Sequence, residues 1–272
     1  MSTNLIIPPT VMTIATSDSS GGAGINADIK TIAANRCYGT SVFVALTAQN
    51  TQTVDAIYPI DPEFIAKQFY ANMRDIKANV IKIGMLYCLP TIRCIARLLC
   101  EYPQVPVVLD PVMISQSGCE LLELDARQAM MEELFPLTYL ITPNLQEAAW
   151  LLGETTINED TMVDAAKRLA ERYRVNVLLK GGHLPGEQCA DVLYEFETRE
   201  IHWFKHPRID TKNCHGTGCT LASAIAAQLA LGKSLSAAID TAVTYLQHAL
   251  IHSRIFKIGQ GAGPVAHMYA IN

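Results

Sequence analysis

The stretch Cys214-His215-Gly216-Thr217-Gly218-Cys219-Thr220 runs directly into the apolar segment Leu221-Ala222-Ser223-Ala224-Ile225-Ala226-Ala227. Two glycines and a threonine allow a tight turn just before a helix, whose first N–H groups lack intrahelical acceptors and carry the positive end of the dipole. Such a turn is an anion site. Cys219 falls in the first helical turn, where the dipole is expected to favour a thiolate and lower its pKa from the free value of roughly 8.5. A base or nucleophile beside an anion hole is the arrangement a group-transfer enzyme requires.

Other segments could supply the rest of such a site. In Ser17-Asp18-Ser19-Ser20-Gly21-Gly22-Ala23-Gly24 the glycine spacing fails the dinucleotide fingerprint, and a tight βα turn accounts for it as well as a ligand loop does. Gly232-Lys233-Ser234 looks like the end of a phosphate loop, but the glycine required five residues earlier is Ala227, so Gly232 is expected to end one helix and Ser234 to cap the next. Asn144 with Glu147 three residues on is a capping-box pattern. Lys180-Gly181-Gly182-His183 follows an apolar run and suits either phosphates or a solvated loop. Asp110 ends another such run, where open α/β sheets place ligands; its carboxylate could bind metal through water or cap a turn. The amide of Gln49 can donate and accept side by side, which suits the amino-N=C edge of an aminopyrimidine, although a plain loop hydrogen bond explains it too.

The elements needed to hold these residues are readable as alternation. Strands are expected at Met12-Ala15, Ser41-Leu46, Val80-Ile83, Val105-Asp110, Tyr139-Thr142 and Val175-Leu179, separated by helices at Ala23-Ala34, Pro62-Met73, Leu89-Leu99, Ala126-Leu134, Leu145-Leu152 and Met162-Tyr173. Pro62 behind Asp61 is a helix start. Asp191-Glu195 and Ile201-Phe204 read as an edge hairpin, followed by helices Cys219-Leu231 and Ser236-Arg254. The loop Met113-Leu122 is expected to be a flap. The class is therefore α/β, a mainly parallel sheet covered on both faces, in one domain over residues 1–272.

Charge and composition narrow the partners. A net charge of −5 without a basic stripe argues against nucleic acid. Apolar runs fall short of the ~18 residues of a membrane span, and the start lacks a charged signal region, so a cytoplasmic protein acting on a small molecule is expected. The eight cysteines contain no Cys-x-x-Cys pair and read as buried hydrophobes; a zinc site at Cys214, His215 and Cys219 matches no common ligand spacing.

In chain order, Thr13-Ile14-Ala15 with Ser17 to Ile25 and Asp28, Leu46-Thr47-Ala48-Gln49-Asn50-Thr51, Lys82-Ile83-Gly84-Met85-Leu86, Asp110-Pro111-Val112-Met113, Thr142-Pro143-Asn144-Leu145-x-Glu147-Ala148, Lys180-Gly181-Gly182-His183, His215-Gly216-Thr217-Gly218-Cys219-Thr220 and Gly259-x-Gly261-x-Gly263-Pro264-Val265 follow one pattern. It resembles the bacterial hydroxymethylpyrimidine/phosphomethylpyrimidine kinases of thiamine biosynthesis, which have the ribokinase-like fold. The resemblance implies that Gln49 pairs with the pyrimidine's amino edge, Ala23, Met85 and Val112 line the ring pocket, and Asp28 stands near its polar side. It further implies an anion hole from Gly216, Thr217 and Gly218, Cys219 facing the hydroxymethyl group as base or orienting group, and ATP with Mg2+ served by Asp110, Asn144, Glu147 and Lys180, the metal by Asp110 and Glu147. A homodimer is expected. Thr16 stands where glycine is usual beside the substrate, Asn26 where glutamine is usual and Cys214 where threonine is usual, so Thr16 could narrow the pocket or add a hydroxyl.

Three rival readings remain at this level. A pyridoxal kinase of the same fold would carry an apolar residue at position 49. A cysteine hydrolase using Cys219 and His215 would need a third orienting residue that the sequence does not offer. A catalytically silent thiamine-pathway sensor would have no use for Cys219 beside the turn glycines.

Overall fold

Apolar strands that alternate their side chains between two faces need helices on both, and this chain supplies them. The computed structural model describes residues 7–113, 122–182 and 184–270. Among these, nine strands form one sheet: β1 (Thr10–Thr16), β2 (Tyr38–Gln49), β3 (Val54–Pro59), β4 (Val80–Ile83), β5 (Val107–Leu109), β6 (Leu140–Ile141), β7 (Asn176–Leu179), β8 (Gln188–Tyr194) and β9 (Ile201–Pro207). Their order is β3-β2-β1-β4-β5-β6-β7-β8-β9. The strands from β2 across to β7 are parallel; β3 at one edge and the β8–β9 hairpin at the other are antiparallel.

The helices are α1 (Gly24–Ala34), α2 (Pro62–Asp75), α3 (Leu89–Cys100), α4 (Leu124–Ala129), α5 (Leu145–Leu152), α6 (Met162–Tyr173), α7 (Thr217–Ala230) and α8 (Leu235–Ser253). On one face Ile14, Val44, Ile83, Leu109, Ile141 and Leu179 pack against α2 to α6. On the other Val11, Val80, Val108, Leu140 and Leu178 meet the apolar sides of α7 and α8. This is the expected mainly parallel sheet with both faces covered, and its strand order reverses between β1 and β4. Ligand crevices form at such a switch point.

Several local expectations hold and others are corrected. Asp61 accepts from the Glu63 N–H and Pro62 occupies the first turn of α2. Asn144 and Glu147 form the reciprocal capping box of α5. Gly232 takes φ +84° just past α7, but Ser234, although it stands at the N-cap of α8, makes no side-chain cap bond. The helix expected to 134 stops being α-helical at Ala129 and widens into a π-type turn, Met130–Leu134. Pro136 just beyond has no N–H to continue the ladder. The strand β3 is an addition to the expected elements; it pairs only with β2, and its Asp55 and terminal Pro59 suit an edge. The expected flap lies largely in residues 114–121, outside the described residues.

The C-terminal turn closes the α7–α8 side. Ala266 N–H donates to Ala249 O at 3.1 Å, and Tyr245 donates to His267 O at 2.6 Å. His267 Nε2 lies 3.2 Å from Thr220 Oγ1. Burial first, then the charges of Lys30 and His215, holds the imidazole down at about 4. In the unfolded chain the ring titrates near 6.5, so below that pH the unfolded state binds the extra proton. The stabilising contribution is complete above pH 6.5 and is lost as pH falls toward 4. Urea midpoints measured from pH 7 to 4.5 should drop steadily in the wild type and less in His267→Gln; parallel profiles would exclude His267 as the source.

Candidate active site

The carboxyl ends of the parallel strands form one edge, and both α1 and α7 begin there. Gly24 takes φ +54°, and a Cβ on it would sit 2.3 Å from Thr16 O, so only glycine lets α1 start against the end of β1. Gly216 takes φ +80°, and its Cβ would sit 1.9 Å from Gly22 O. The two helix starts therefore touch. Gly24 N–H bonds to the Cys219 sulfur, which puts the thiol where both dipoles end.

Strand periodicity brings the polar residues to the same place. Val11, Val80, Val108, Leu140 and Leu178 face α7, so Thr13, Lys82, Asp110, Thr142 and Lys180, two residues further along each strand line, face it as well. Beneath the edge, Lys82 donates to both oxygens of Asp28 at 2.9 and 2.8 Å, with both side chains 0% exposed. The same carboxylate accepts from Thr13 at 2.6 Å and Ser223 at 2.7 Å. Burial alone would push the ammonium down; Asp28 first, then Cys219 and Asp110, outweigh it and raise Lys82 above its ordinary value. At the edge itself Asp110 Oδ1 accepts from Lys180 at 2.6 Å and Thr142 at 3.0 Å.

Cys219 stands in the field of both ion pairs. Burial pushes its thiol up to about 11, with Asp28 and Asp110 adding to the rise and Lys82 and the Gly24 N–H opposing it. The expected lowering is thus corrected: desolvation exceeds the pull of the helix start, and the resting group is a thiol. The trio Gly216, Thr217 and Gly218 does form the turn, but Thr217 sends both N–H and hydroxyl back to Cys214 O, at 3.3 and 2.5 Å. Outward donors in the first turn of α7 are then the N–H groups of Gly218 and Cys219. A Cβ on Gly218 would lie 3.1 Å from Asp110 Oδ2 and 3.4 Å from Lys180 Nζ, so the turn and this ion pair face one another.

Gln49 ends β2 beside this turn. Its backbone is fastened to Ser19, whose hydroxyl accepts from Gln49 N and approaches Gln49 O, each at 2.7 Å. Its amide lies 3.5 Å from His215 Nε2, which in turn lies 2.9 Å from Asp18 Oδ2. Asp18 Oδ2 also accepts from Gly22 and Ala23 N–H, and Oδ1 from the Ser20 N–H and hydroxyl. Burial would raise this carboxyl, but the bonds from His215, Ser20 and Ala23 prevail and hold it at about 2. Ala23, Met85 and Val112 are half-buried at the same edge. Asp28, expected near the ring's polar side, is corrected to a support beneath the site, since it has no exposed surface. Thr16 is likewise 3% exposed, and its hydroxyl and N–H both reach Met85 O at 3.1 Å, so it offers no free hydroxyl to a ligand.

On the far side of Asp110 lie Asn144 and Glu147. Glu147 Oε2 accepts from Asn144 N at 2.8 Å, and Asn144 Oδ1 from Glu147 N at 2.9 Å. Burial pushes Glu147 up to about 7, the neighbouring Asp110 adds to this, and Lys180 with the Asn144 and Met113 N–H groups opposes it. Two buried carboxylates sharing one lysine, one of them unable to stay fully ionised, are hard oxygen donors suited to a further cation such as magnesium. Among the described residues the one group of three or more His, Cys, Asp or Glu side chains close enough to share a metal is Glu195, Glu200 and His202 on the β8–β9 hairpin, so Cys214, His215 and Cys219 do not converge on zinc. His183 and Cys119 fall outside the described residues. Lys82, Thr142 and Asp18 are site residues to which sequence reasoning assigned no role, and His215 had one only in the zinc and hydrolase readings. Lys82 had a signal: a lysine inside Val80-Ile81-Lys82-Ile83 must be buried and therefore paired.

The phosphomethylpyrimidine kinase family model matches residues 18–266. The thiamine biosynthesis bifunctional protein ThiED of Geobacter sulfurreducens is 47% identical over 260 residues, 96% of this chain but 52% of that protein, so the chain spans about half of it. The hydroxymethylpyrimidine/phosphomethylpyrimidine kinase of Escherichia coli is 42% identical, covering 95% of this chain and 97% of its own. Among solved structures, an ADP complex of Bacillus subtilis pyridoxal kinase is 35% identical, covers 96% of this chain and 97% of that one, and has a TM-score of 0.87.

Two outcomes follow from the buried pairs. Asp28→Ala strands an ammonium in the core and should cost about 3–5 kcal/mol in urea unfolding, most of it regained in Asp28→Ala/Lys82→Met; a loss under about 1 kcal/mol would mean the pair bears little. Cys219 should react with iodoacetamide at pH 8 more slowly than exposed Cys100 and Cys214, because its thiolate is scarce. Equal rates by peptide mass mapping would contradict the raised pKa.

Proposed function

Because the chain belongs to the phosphomethylpyrimidine kinase family, we propose that it transfers a phosphoryl group from Mg·ATP to 4-amino-5-hydroxymethyl-2-methylpyrimidine and to its monophosphate, giving the diphosphate for thiamine biosynthesis. The observation that carries this reading is the meeting of Cys219, the first turn of α7 and the Asp110–Lys180 pair at one point, with Gln49 at its rim.

Phosphoryl transfer asks for in-line positioning and charge stabilisation more than covalent chemistry. The N–H groups of Gly218 and Cys219 receive the charge on the migrating group, and Lys180 neutralises it from the other side. Asp110 and Glu147 hold the magnesium, which supplies neutralisation of the ATP phosphates when bound. Ala23, Met85 and Val112 enclose the ring, and Gln49 pairs with its amino edge. In a loose transition state the attacking hydroxyl becomes acidic late. A resting Cys219 thiol therefore orients the hydroxymethyl group, and as its oxygen bonds to phosphorus and the bond to ADP breaks, the hydroxyl proton passes to a non-bridging oxygen of the transferred group.

No described helix is long and apolar enough to cross a membrane. A cytoplasmic enzyme is consistent with a phosphorylated, soluble substrate. A homodimer is supported by the β3 edge, where Leu46, Val54 and Tyr58 are exposed, the last by 71%. Pyridoxal as a second substrate is favoured by the likeness to the pyridoxal kinase structure. Gln49 weighs against it as the main one, since pyridoxal has no amino-N=C edge to match.

Purified protein with Mg·ATP should convert the pyrimidine monophosphate to the diphosphate. Phosphorylation of pyridoxal with no pyrimidine product would replace this reading by its rival. Cys219→Ala should lower kcat by roughly 100-fold through lost positioning while nucleotide affinity survives; an unchanged kcat would remove the thiol from the reaction.

A further inference from the structure

The Gln49 amide stands between two groups whose protons can be counted. His215 Nε2 lies 2.9 Å from Asp18 Oδ2. Asp18 is a carboxylate at neutral pH and can only accept, so Nε2 carries the imidazole proton. With that proton given to Asp18, Nε2 has no lone pair to offer the end of Gln49 3.5 Å away, so an oxygen rather than an NH2 is the group tolerated beside it. On the other flank, Thr47 Oγ1 gives its single proton to Ser17 O at 3.0 Å. With that proton spent, Thr47 can only accept from the amide end 3.3 Å away. Gln49 Nε2 toward His215 and Oε1 toward Thr47 would set donor against donor and acceptor against acceptor. A half-turn about the last side-chain torsion gives Thr47 the donor it needs and removes the donor–donor clash at His215.

We propose that His215, held by Asp18, and Thr47 lock the Gln49 amide in a single orientation, Oε1 toward His215 and NH2 toward Thr47, and so fix the donor–acceptor order shown to the pyrimidine. His215 and Thr47 are then positioning residues for specificity. This rests on Gln49 reading the ring, as proposed above. The outer edge of the locked amide offers an acceptor for the amino group and, beside it, a donor for the ring nitrogen. A 4-oxo analogue presents the inverse, a carbonyl acceptor beside a ring N–H. A free amide would adapt by turning over; a locked one leaves two like groups facing each other.

The test is the ratio of kcat/KM for the 4-amino substrate to that for its 4-oxo analogue, with the two dissociation constants measured by calorimetry without ATP. Wild type should prefer the amino form by about 100-fold or more. His215→Phe should cut this preference at least about tenfold, partly by improved binding of the 4-oxo form, which damage to the fold would not produce. His215→Gln keeps an N–H donor near the same place and should retain the preference. Thr47→Val, close in shape, removes the other flank and should relax the ratio even if His215→Phe does not fold. Equal loss of both activities in His215→Phe, with the ratio intact there and in Thr47→Val while Gln49→Met alters it, would overturn the lock alone. A wild-type ratio retained in Gln49→Met would overturn Gln49 as the reader, and the lock with it.

Discussion

The buried carboxylate of Asp28 is the constraint on which the site depends. It accepts from Thr13 on β1, Lys82 on β4 and Ser223 on α7 while itself belonging to α1. Four elements are thus referred to one pair of oxygens. An ion pair removed from water gains little over apolar packing, yet breaking it is costly, so its effect is to forbid other arrangements of these elements. What it fixes is the junction of two helix starts, and the Cys219 sulfur lies at that junction. The close approaches at Gly24 and Gly216 belong to the same demand, since side chains there would drive the helix starts away from β1 and the 21–23 turn.

Electrostatics at the strand ends is then a consequence of pleating. In β1, β4, β5, β6 and β7 the row facing α7 steps from an apolar to a polar side chain toward the carboxyl edge. Lys82 and Lys180 each lean on a carboxylate, and Cys219 shares the space between the pairs. The two lysines stay charged through their partners, whereas the thiol, with acids near it and much of its surface withdrawn from water, stays protonated. The site therefore rests with its positive charge in place and its sulfur neutral, which suits a reaction whose need is to receive phosphate charge.

Much of this architecture was legible in the sequence. Leu145–Leu152 and Met162–Tyr173 fell where periodicity set them, and the hairpin after Asp191 took the edge as expected. These segments state their structure locally, through caps, amphipathic spacing and turns. β3 did not, because most of its residues are exposed and show no buried face to alternate. The sign of the Cys219 shift was not legible either: the helix start is local and visible, but the burial that outweighs it comes from residues distant in sequence. Lys82 and Asp28 were visible as an apolar strand with a lysine and a helix with an aspartate, but their pairing is tertiary. Asp18, His215 and Gln49 lie 197 and 166 positions apart in their two contacts, beyond any local pattern.

The capping box of α5 bears on how relatives of this chain should be compared. Asn144 and Glu147 bond to each other to begin a helix and also face Asp110 and Lys180. Folding alone would keep both residues in a descendant that had abandoned its chemistry. Their presence is therefore a poor mark of a working enzyme among divergent sequences. Cys219 caps nothing and fills little of the core, so its replacement is the earlier sign of a lineage turned to other uses.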